Sequence, residues 1–507
     1  MVYNYYIKKV IKGILMRRSG ILMPVFSLAS PYGIGTMGEK AFEFVRFLKR
    51  ARQSFWQILP LMPIDYSGSP YQSKSSFAGN SLLIDLDELV KDGLLDLSDI
   101  NEFSFDNSKL DFSNVIKSRE VLLNRAFSKF DKENSDFKEF VKKTHWLLSY
   151  ACFSALKDAH ENKPFYEWEE KYKNYSRQTL EQTLREYPER VLYYEFEQFE
   201  FYKQWKNLKN FANSLGIEII GDIPIYVALD SADVWSDPMQ FDLNSELRPE
   251  HVAGVSPDVF SKNGQLWGNP LYNWEKAENE KEPFSWWKKR LKAAFELYDT
   301  VRIDHFRAFE SYYAIKSGEK TAIGGVWKKG PGIKFFDEMK KEFSGKLPLI
   351  AEDLGIIDDK VRALLKQTGL PGMKVLQFGF DDGPKSEHIL HNHIKNCVCY
   401  IGTHDNDTVI GWKNSKSQSE LKFIYDYIGF GEKEGFNIAM IRTAMSSVAD
   451  TVIITLSDLM GLSSEGRINT PGTIGNNWCF RIADGCVNDW LADILLDITS
   501  TYGRNSN

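Results

Sequence analysis

The sequence predicts an α/β protein built as a closed (β/α)8 barrel with inserted, mainly helical subdomains. Eight short apolar runs recur along the 507 residues, often separated by helical patterns. Their near-continuous apolar character is typical of parallel strands buried on both faces, and eight such strands suggest a TIM barrel. A long helical stretch interrupts the series after the second run. The 43% apolar and 26% charged residues suit a large core with a charged surface.

The eight runs end in polar, glycine or proline residues, as strands that enter loops do. In chain order they span residues 20–28, 54–64, 217–227, 300–306, 347–354, 373–380, 397–405 and 451–459. The stretch 81–215 is too long for one crossover, and we interpret it as an inserted helical subdomain beside the barrel mouth. The barrel then comprises residues 17–80 and 216–502, with an N-terminal extension (1–16) and a frayed polar tail (503–507).

The first thirty residues have the basic start and apolar run of an export signal. We reject that interpretation because the run Ile21–Leu28 contains Pro24 and serves better as the first strand. Residues 1–15 have no identifiable role in a barrel, so we expect them to be dispensable, with Met16 as an alternative initiator. No run reaches the roughly 18 apolar residues of a membrane span.

Charge and composition restrict the partners. A net charge of −6 and a pI of about 5.9 leave no basic face for nucleic acid or an anionic membrane, so we expect a neutral partner. The 13 Trp and 23 Tyr residues offer flat faces on which sugar rings could stack, although most should fill the core. Five cysteines are too few for a disulfide framework and indicate a reducing compartment, the cytoplasm.

Two motifs have alternative interpretations that the spacing argues against. GIGTMG at 33–38 has the glycines of a dinucleotide-binding loop, but ASPY separates it from the preceding run and no acid ends the next one. We expect a glycine-rich turn at the barrel rim. His391, His393, Cys397 and Cys399 could be drawn as a zinc site, but the one-residue spacing puts both cysteines in the core of a strand, so we predict no metal.

Three acidic motifs close three of the runs. TVRIDHFRAF (300–309), LPLIAEDLG (347–355) and CYIGTHDNDT (399–408) place Asp304, Glu352 and Asp405 at strand ends, which converge at one face of a barrel. One such acid alone would more often be a helix cap or an ion-pair partner. Three together suit the cleavage of a glycosidic bond, in which one carboxyl group protonates the leaving oxygen and a carboxylate attacks or stabilises the sugar carbon.

The neighbours of these acids support the same chemistry. Arg302 precedes Asp304 by two residues and so lies on the same strand face, His305 follows it directly, and His404 precedes the third acid. A nearby cation favours an ionised Asp304, whereas Glu352 must keep its proton to act as an acid.

Several longer motifs accompany the acids in a fixed order. They are SPYQSKSSFAGN (69–80), GDIPIYVALDSADVW (221–235), AGVSPDVFSKNGQLWGNPLY (253–272), GLPGMKVLQFGFDDG (369–383) and SEGRINTPGTIGNNW (464–478). With them, the chain from Arg17 to Arg481 closely resembles the 4-α-glucanotransferases of glycoside hydrolase family 77, the amylomaltase or disproportionating type. The resemblance implies a retaining transfer of α-1,4-glucan segments from a maltooligosaccharide donor to a glucose or glucan acceptor, without metal or organic cofactor.

The resemblance also implies roles for individual residues. Asp304 matches the nucleophile, Glu352 the general acid/base and Asp405 the aspartate that stabilises the transition state. Arg302, His305 and His404 match positions that orient these acids and bind sugar hydroxyls. Tyr71 matches the platform for the cleaved glucose, and Asp222 belongs beside it. Gln265 and Trp267 match a flexible lid over the acceptor, the segment 253–270, and Asn469 matches a contact on the donor side.

Two other functions remain open at this stage. A plain α-glucan hydrolase would use the same three carboxylates, although SPYQS and the expected lid favour transfer. A catalytically silent glucan-binding protein would keep the aromatic residues and lose one acid, whereas all three acids are present. The preferred donor, any cyclising activity and the oligomeric state do not follow from the sequence.

Overall fold

The computed structural model of the chain describes residues 17–64, 67–106, 108–257, 261–431 and 434–505. The proposed extension, residues 1–16, therefore lies outside the described residues. The strands, numbered in chain order, are β1 (Arg18–Leu22), β2 (Phe55–Gln57), β3 (Glu218–Ile223), β4 (His251–Val255), β5 (Gln265–Pro270), β6 (Thr300–Ile303), β7 (Ser311–Lys316), β8 (Val326–Lys329), β9 (Leu349–Ala351), β10 (Gly372–Val375), β11 (Cys397–Tyr400) and β12 (Thr451–Thr455).

Eight parallel strands form the barrel. Their order is β10-β11-β12-β1-β2-β3-β6-β9, and every pair of hydrogen-bonded neighbours is parallel. Ala351 N in β9 donates to Pro371 O, just before β10, at 2.9 Å, which brings the two ends of the sheet together. Each of the eight predicted runs overlaps one of these strands, so the (β/α)8 prediction is confirmed.

The first run, 20–28, leaves β1 at Leu22 and continues as the short 3-10 helix Val25–Ser27. Two other runs continue as α-helices. The run 373–380 changes from β10 to the helix Leu376–Asp382, and the run 451–459 changes from β12 to the helix Leu456–Met460. Thr455 ends β12 and caps the second helix by accepting a hydrogen bond from Asp458 N at 3.1 Å. In both runs the strand and the helix are buried, so hydrophobicity alone does not show where the strand ends and the helix begins.

Helices cover the outside of the barrel. Glu39–Arg50 begins with an acid and ends with Lys49 and Arg50, which complement the helix dipole, and it turns Phe44 and Leu48 inward. The other helices that lie between barrel strands in the chain are Ala232–Ser236, Trp274–Glu278, Ser285–Leu297, Ile333–Glu342, Asp359–Thr368, Val409–Asn414, Gln418–Ile428 and Phe436–Ser446, and Asp489–Thr501 follows the last strand. Within the described ranges, every helix is too short or too polar to span a bilayer.

The stretch between β2 and β3 is helical, as its pattern indicated. It contains Leu86–Lys91, Leu97–Ile100, Phe112–Lys129, Ser135–Lys143, Leu147–Ala159, Glu170–Lys173, Arg177–Glu186 and Pro188–Ser214. The last of these helices also packs on the barrel, because buried Trp205 donates from Nε1 to Leu297 O at 3.0 Å. The boundary at residue 215 remains an interpretation, since this one helix contacts both parts.

A four-stranded antiparallel sheet, in the order β5-β4-β7-β8, was not expected. It contains both ends of the segment 253–270, which we expected to be a flexible lid: β4 and β5 pair with each other, and β4 also pairs with β7. Gly254 and Gly268 lower the strand propensity of this segment, and its partner β7 lies more than forty residues away, so the local pattern resembles a loop.

Arg17 and Arg504, near the two ends of the described residues, are held at the bottom of the barrel, at the start of its strands. Arg504, in the expected frayed tail, is fully buried and donates to Met445 O, Ser447 O, Ala449 O and Arg18 O. Arg17 donates to Met445 O at 2.8 Å. These carbonyls include unpaired groups at the C-terminal end of the helix Phe436–Ser446, where cations are favoured. The prediction of a frayed tail was therefore wrong for residues 503–505.

The glycine motif 33–38 and the histidine and cysteine residues of 391–399 both pack against neighbouring parts of the fold. In GIGTMG, a side chain at Gly38 would collide with Asp85, whose carboxylate accepts from Thr36 Oγ1 at 2.6 Å, so this segment packs closely against the next loop. Cys397 and Cys399 are buried in β11. His393 contacts Ser447 Oγ at 2.8 Å.

Candidate active site

The ends of barrel strands place two of the three acids at the mouth of the barrel. Asp304 directly follows β6, and its backbone N donates to Ile223 O of β3 at 3.0 Å. Glu352 directly follows β9, and its N donates to Ile303 O of β6 at 3.1 Å. Both residues therefore continue the parallel hydrogen-bond ladder, which fixes their position against each other. Asp405 lies in the loop after β11.

Arg302 joins two carboxylates. Its Nη1 donates to Asp222 Oδ2 at 2.7 Å, and its Nη2 donates to Asp304 Oδ1 at 2.8 Å. Asp222, in β3, is completely buried. Burial alone would lower the pKa of Arg302. The charges of Asp222 and Asp304 outweigh burial and hold this pKa well above its ordinary value.

The pKa of Asp304 is higher than the neighbouring Arg302 cation alone would make it. Burial raises the pKa of Asp304 to about 6 and outweighs the opposing effect of Arg302, while the charges of Asp222 and Asp405 raise it further. The group still ionises below neutral pH. About 30% of this side chain remains exposed, so it faces the open mouth of the barrel.

Glu352 favours the protonated form. Its Oε2 accepts from His305 N at 2.7 Å and its Oε1 accepts from Leu354 N at 2.8 Å. Burial, followed by the charge of Asp304, raises the pKa of Glu352 to about 8 despite these two donors. The site therefore favours an ionised Asp304 beside a neutral Glu352 at pH 7.

His305 connects the two acids through its backbone. It has left-handed dihedral angles, φ 53° and ψ 52°, which turn its N–H toward Glu352 and bring the N–H of Phe306 to within 3.0 Å of Glu352 O. Burial, together with the charge of Arg307, lowers the pKa of the His305 imidazole to about 3, so the ring is neutral.

Asp405 is oriented from the loop that follows β12. Asn469 Nδ2 donates to Asp405 Oδ1 at 2.6 Å, and Arg467 Nη2 donates to Asp405 O at 2.9 Å. Asn469 N also donates to His404 O at 3.0 Å. The side chain of Asp405 is 40% exposed, so one edge of this carboxylate faces the mouth.

Tyr71 stacks on His404 and extends the polar network. Its hydroxyl donates to Asp222 Oδ2 at 2.7 Å and contacts His404 Nε2 at 2.8 Å, and the two rings are nearly parallel with centroids 5.6 Å apart. Trp478 contacts both rings, with centroid distances of 5.8 Å to Tyr71 and 6.0 Å to His404. Burial lowers the pKa of His404, which favours a neutral ring.

The antiparallel sheet brings β5 to the same place. Trp267 packs edge-on against His305 with centroids 4.9 Å apart, and its Nε1 donates to Gln265 Oε1 at 3.1 Å. Trp267 thus lies against His305, the neighbour of Asp304, with Gln265 bonded to it, and both residues are on a hydrogen-bonded strand instead of the expected loop.

Some polar atoms of the site are buried without a protein hydrogen-bond partner among the described residues: Asp222 Oδ1, His305 Nε2 and His404 Nδ1. All three belong to side chains expected to bind sugar. A buried unpaired group of this kind costs about 1–3 kcal/mol. The described residues contain no group of three His, Cys, Asp or Glu side chains arranged to hold a metal ion.

A cleft of about 810 Å³ opens beside Asn469. The loop 469–479 forms one wall, and residues 106 and 109–113 of the helical insertion form the other. This loop carries two non-glycine residues with left-handed backbone, Asn476 (φ 56°) and Trp478 (φ 64°). Sequence reasoning assigned no role to Arg467 or Trp478, although both lie in the motif SEGRINTPGTIGNNW that contributed to the resemblance.

Comparison with known proteins agrees with the motifs. A family model described as 4-alpha-glucanotransferase, glycoside hydrolase family 77, matches residues 23–487. The 4-alpha-glucanotransferases of Clostridium butyricum and Thermus thermophilus are 44% and 43% identical to this chain, over 95% and 93% of it and 100% and 96% of their own lengths.

Solved structures give the same result. The amylomaltase from Streptococcus agalactiae in complex with acarbose matches with a TM-score of 0.93 and 38% identity, over 97% of this chain and 100% of that one. The amylomaltase from Corynebacterium glutamicum, at 16% identity, shares the fold with a TM-score of 0.77 over 99% of this chain and 76% of that one. The chain belongs to the 4-α-glucanotransferases of glycoside hydrolase family 77.

Proposed function

We propose that this 4-α-glucanotransferase transfers α-1,4-glucan segments from a maltooligosaccharide to the 4-hydroxyl of glucose or another glucan by a retaining double displacement. The observation that carries the proposal is the different surroundings of two neighbouring carboxyl groups. Asp304 has a cation at 2.8 Å, whereas Glu352 has two backbone N–H donors and, among the described residues, no ion-pair partner.

In the first step Asp304 is the nucleophile and Glu352 is the acid. An oxygen of Asp304 forms a bond to the anomeric carbon while the glycosidic C–O bond breaks, and the leaving oxygen takes its electron pair and the proton of Glu352. The reducing-end part of the donor leaves with a free 4-hydroxyl. The remaining glucan is held as a covalent glycosyl ester on Asp304.

In the second step Glu352 acts as a base. It removes the proton from the acceptor's 4-hydroxyl as that oxygen attacks the anomeric carbon, and the bond to Asp304 breaks to return its carboxylate. Two inversions give net retention. Such a mechanism requires the two carboxyl groups to be about 5–5.5 Å apart.

The remaining residues would bind and orient the reacting sugar. Tyr71 provides the ring face under the cleaved glucose, and Asp405, held by Asn469, accepts hydroxyls that bind more tightly in the distorted transition state. Their positions beside the acids support the further roles of Arg302, His305, His404 and Asp222 in this binding. The cleft beside Asn469 would hold the donor chain, and Gln265 and Trp267 would contact the acceptor.

Transfer predominates over hydrolysis when the covalent intermediate is shielded from water until an acceptor arrives. The sheet strand β5 supports this shielding, because Trp267 packs on His305 beside the nucleophile. The opposite wall would be the rim loop 463–477.

Incubation of the purified protein with maltotriose tests this function. Transfer produces glucose together with a ladder of longer and shorter dextrins, whereas a hydrolase produces only shorter sugars. Asp304→Asn should lower turnover by several powers of ten, since the amide keeps the shape but cannot attack. More than about a tenth of normal turnover in that variant would require a different nucleophile.

We also propose that the protein acts in the cytoplasm, in maltodextrin or glycogen metabolism. Its cysteines support a reducing compartment, because all five are free, including the partly exposed Cys479 and Cys486.

A further inference from the structure

A second cavity, of about 200 Å³, lies between the helical insertion and the barrel. The loop after β2 contributes Phe77, and the short helix Ala232–Ser236 that follows β3 contributes Asp233. The helix Leu147–Ala159 and its start contribute Ser149 and Trp146, and the helix Ser285–Leu297 contributes Trp286. The loops after barrel strands are on the catalytic face, so this cavity opens on that face, apart from the acids.

Aromatic rings form most of its wall. Phe77 and Trp146 stack at 23° with centroids 6.3 Å apart, and Trp286 meets Phe77 edge-on at 6.2 Å. Phe77 and Trp286 are buried by these contacts, whereas Trp146 is half-buried and keeps a surface toward the cavity. Flat apolar surfaces in this arrangement suit the C–H face of a pyranose ring.

Polar groups lie around the same space. Ser149 Oγ and Tyr175 OH form a hydrogen bond of 2.8 Å in which either can donate, so the pair can both give and accept further bonds. Asp233 is almost fully buried and is anchored by Ser76 N, which donates to its Oδ2 at 2.7 Å. Asp237, half-buried, adds a second carboxylate.

We propose that this cavity binds one α-glucosyl unit, at a site separate from the catalytic cleft. Its volume is below the 300–1,000 Å³ usual for larger ligands, which suits a single ring or a chain end. The combination of ring faces, hydroxyls and carboxylates matches the apolar face and the hydroxyl edge of a sugar. The inference concerns binding alone and does not depend on the roles proposed for the three catalytic acids.

An organic cation is the main competing ligand, since aromatic rings with carboxylates also form cation sites. Two features favour sugar. The hydroxyl pair of Ser149 and Tyr175 would find no hydrogen-bonding partner on a quaternary ammonium. The exposed ammonium of Lys289 also lines the cavity and would repel a cation.

The test uses the full chain labelled with 5-fluorotryptophan and observed by ¹⁹F NMR. Trp146→Phe and Trp286→Phe assign the two resonances that report on the cavity. Methyl α-D-glucoside, added alone, cannot supply a donor chain and so reports binding only. We expect a saturable shift of the Trp146 resonance at millimolar sugar.

Matched variants separate this site from the catalytic one. Ser149→Ala combined with Tyr175→Phe should weaken binding by about tenfold, as expected for two lost hydrogen bonds. Ser128→Ala, on an exposed helix surface of the same insertion, should leave affinity unchanged. Tyr71→Ala, at the acids, should leave the Trp146 shift unchanged.

Three outcomes would overturn the proposal. The first is a Trp146 shift that stays linear up to concentrations on the order of 100 mM, since that indicates no site. The second is saturation by tetramethylammonium chloride but not by the glucoside, which would assign an organic cation. The third is loss of the shift in Tyr71→Ala, which would place the binding in the catalytic cleft.

Discussion

Replacing Arg302 by methionine should raise the pH at which the enzyme becomes active. The side chain is buried, with only 4% exposed, and bridges Asp222 and Asp304 at 2.7 and 2.8 Å. Methionine keeps an unbranched apolar side chain in the same space and removes the cation. The two carboxylates are then left close together without a neutralising charge.

The size of the effect follows from this geometry. An adjacent cation typically lowers a carboxyl pKa by about 1–3 units, and the pKa of Asp304 is raised only to about 6 with Arg302 present. Removal of the cation favours the protonated form, so the pKa of Asp304 should rise above 7. Attack needs the ionised form, so the acid limb of kcat/KM must move to higher pH. Loss of one partner from a buried ion pair should also lower the free energy of unfolding by about 3–5 kcal/mol.

The assay is kcat/KM for glucose release from maltotriose between pH 5 and 9, with stability followed by calorimetry. Arg302→Lys is the matched control: it keeps the charge, so its acid limb should stay near the normal position even if activity falls. Adding Asp222→Asn to the methionine variant should restore part of the stability by removing the uncompensated carboxylate. A folded Arg302→Met enzyme with an unmoved acid limb would refute the assignment of that limb to Asp304.

Three further predictions concern other parts of the chain. Glu352→Ala should still react with α-glucosyl fluoride, because the fluoride leaving group needs no proton. Added azide should then release β-glucosyl azide, detectable by NMR. Absence of this rescue would argue against Glu352 as the acid/base. A chain beginning at Met16 should keep full activity and Tm, because Arg17 and its carbonyl contacts remain; a clear fall in either would show that residues 1–15 contribute to folding or activity. Arg504→Met should lower Tm by several degrees while kcat stays normal, since buried carbonyls lose their donor; an unchanged Tm would contradict the structural role of the tail.

The barrel could be predicted from the sequence because its strands are buried on both faces. In β11 all four residues, Cys397–Tyr400, are buried, and such a strand is a continuous apolar run that can be recognised without its neighbours. The three acids were identifiable for the related reason that they directly follow such runs or lie shortly after them. Where a run passes into a buried helix, as at Leu376, the same signal overestimates the length of the strand.

The antiparallel sheet and the tail could not be predicted in the same way. The strands β4 and β7 are stabilised by each other and lie far apart in the sequence, so neither short segment carries a strong signal alone. Arg504 stands in a polar terminus that resembles any frayed end, and only the fold brings the carbonyls at the end of Phe436–Ser446 to it. The contact of Asn469 with Asp405 likewise depends on the path of a long loop.

Several residues of the site have a strained backbone or an unpaired buried polar atom, and both lower the stability of the free protein. His305 keeps a left-handed backbone that a non-glycine residue seldom adopts, and this strain directs its N–H to Glu352. The side chains of His305, His404 and Asp222 each leave one buried polar atom without a protein hydrogen-bond partner among the described residues. Each such atom costs the folded protein about 1–3 kcal/mol. The exposed edges of Asp304 and Asp405, 30% and 40% accessible, are the carboxylate surfaces that a sugar ring in the mouth could reach. Because the donors and acceptors are already fixed by the barrel strands and their stacking partners, little reorganisation would remain for the chemical step.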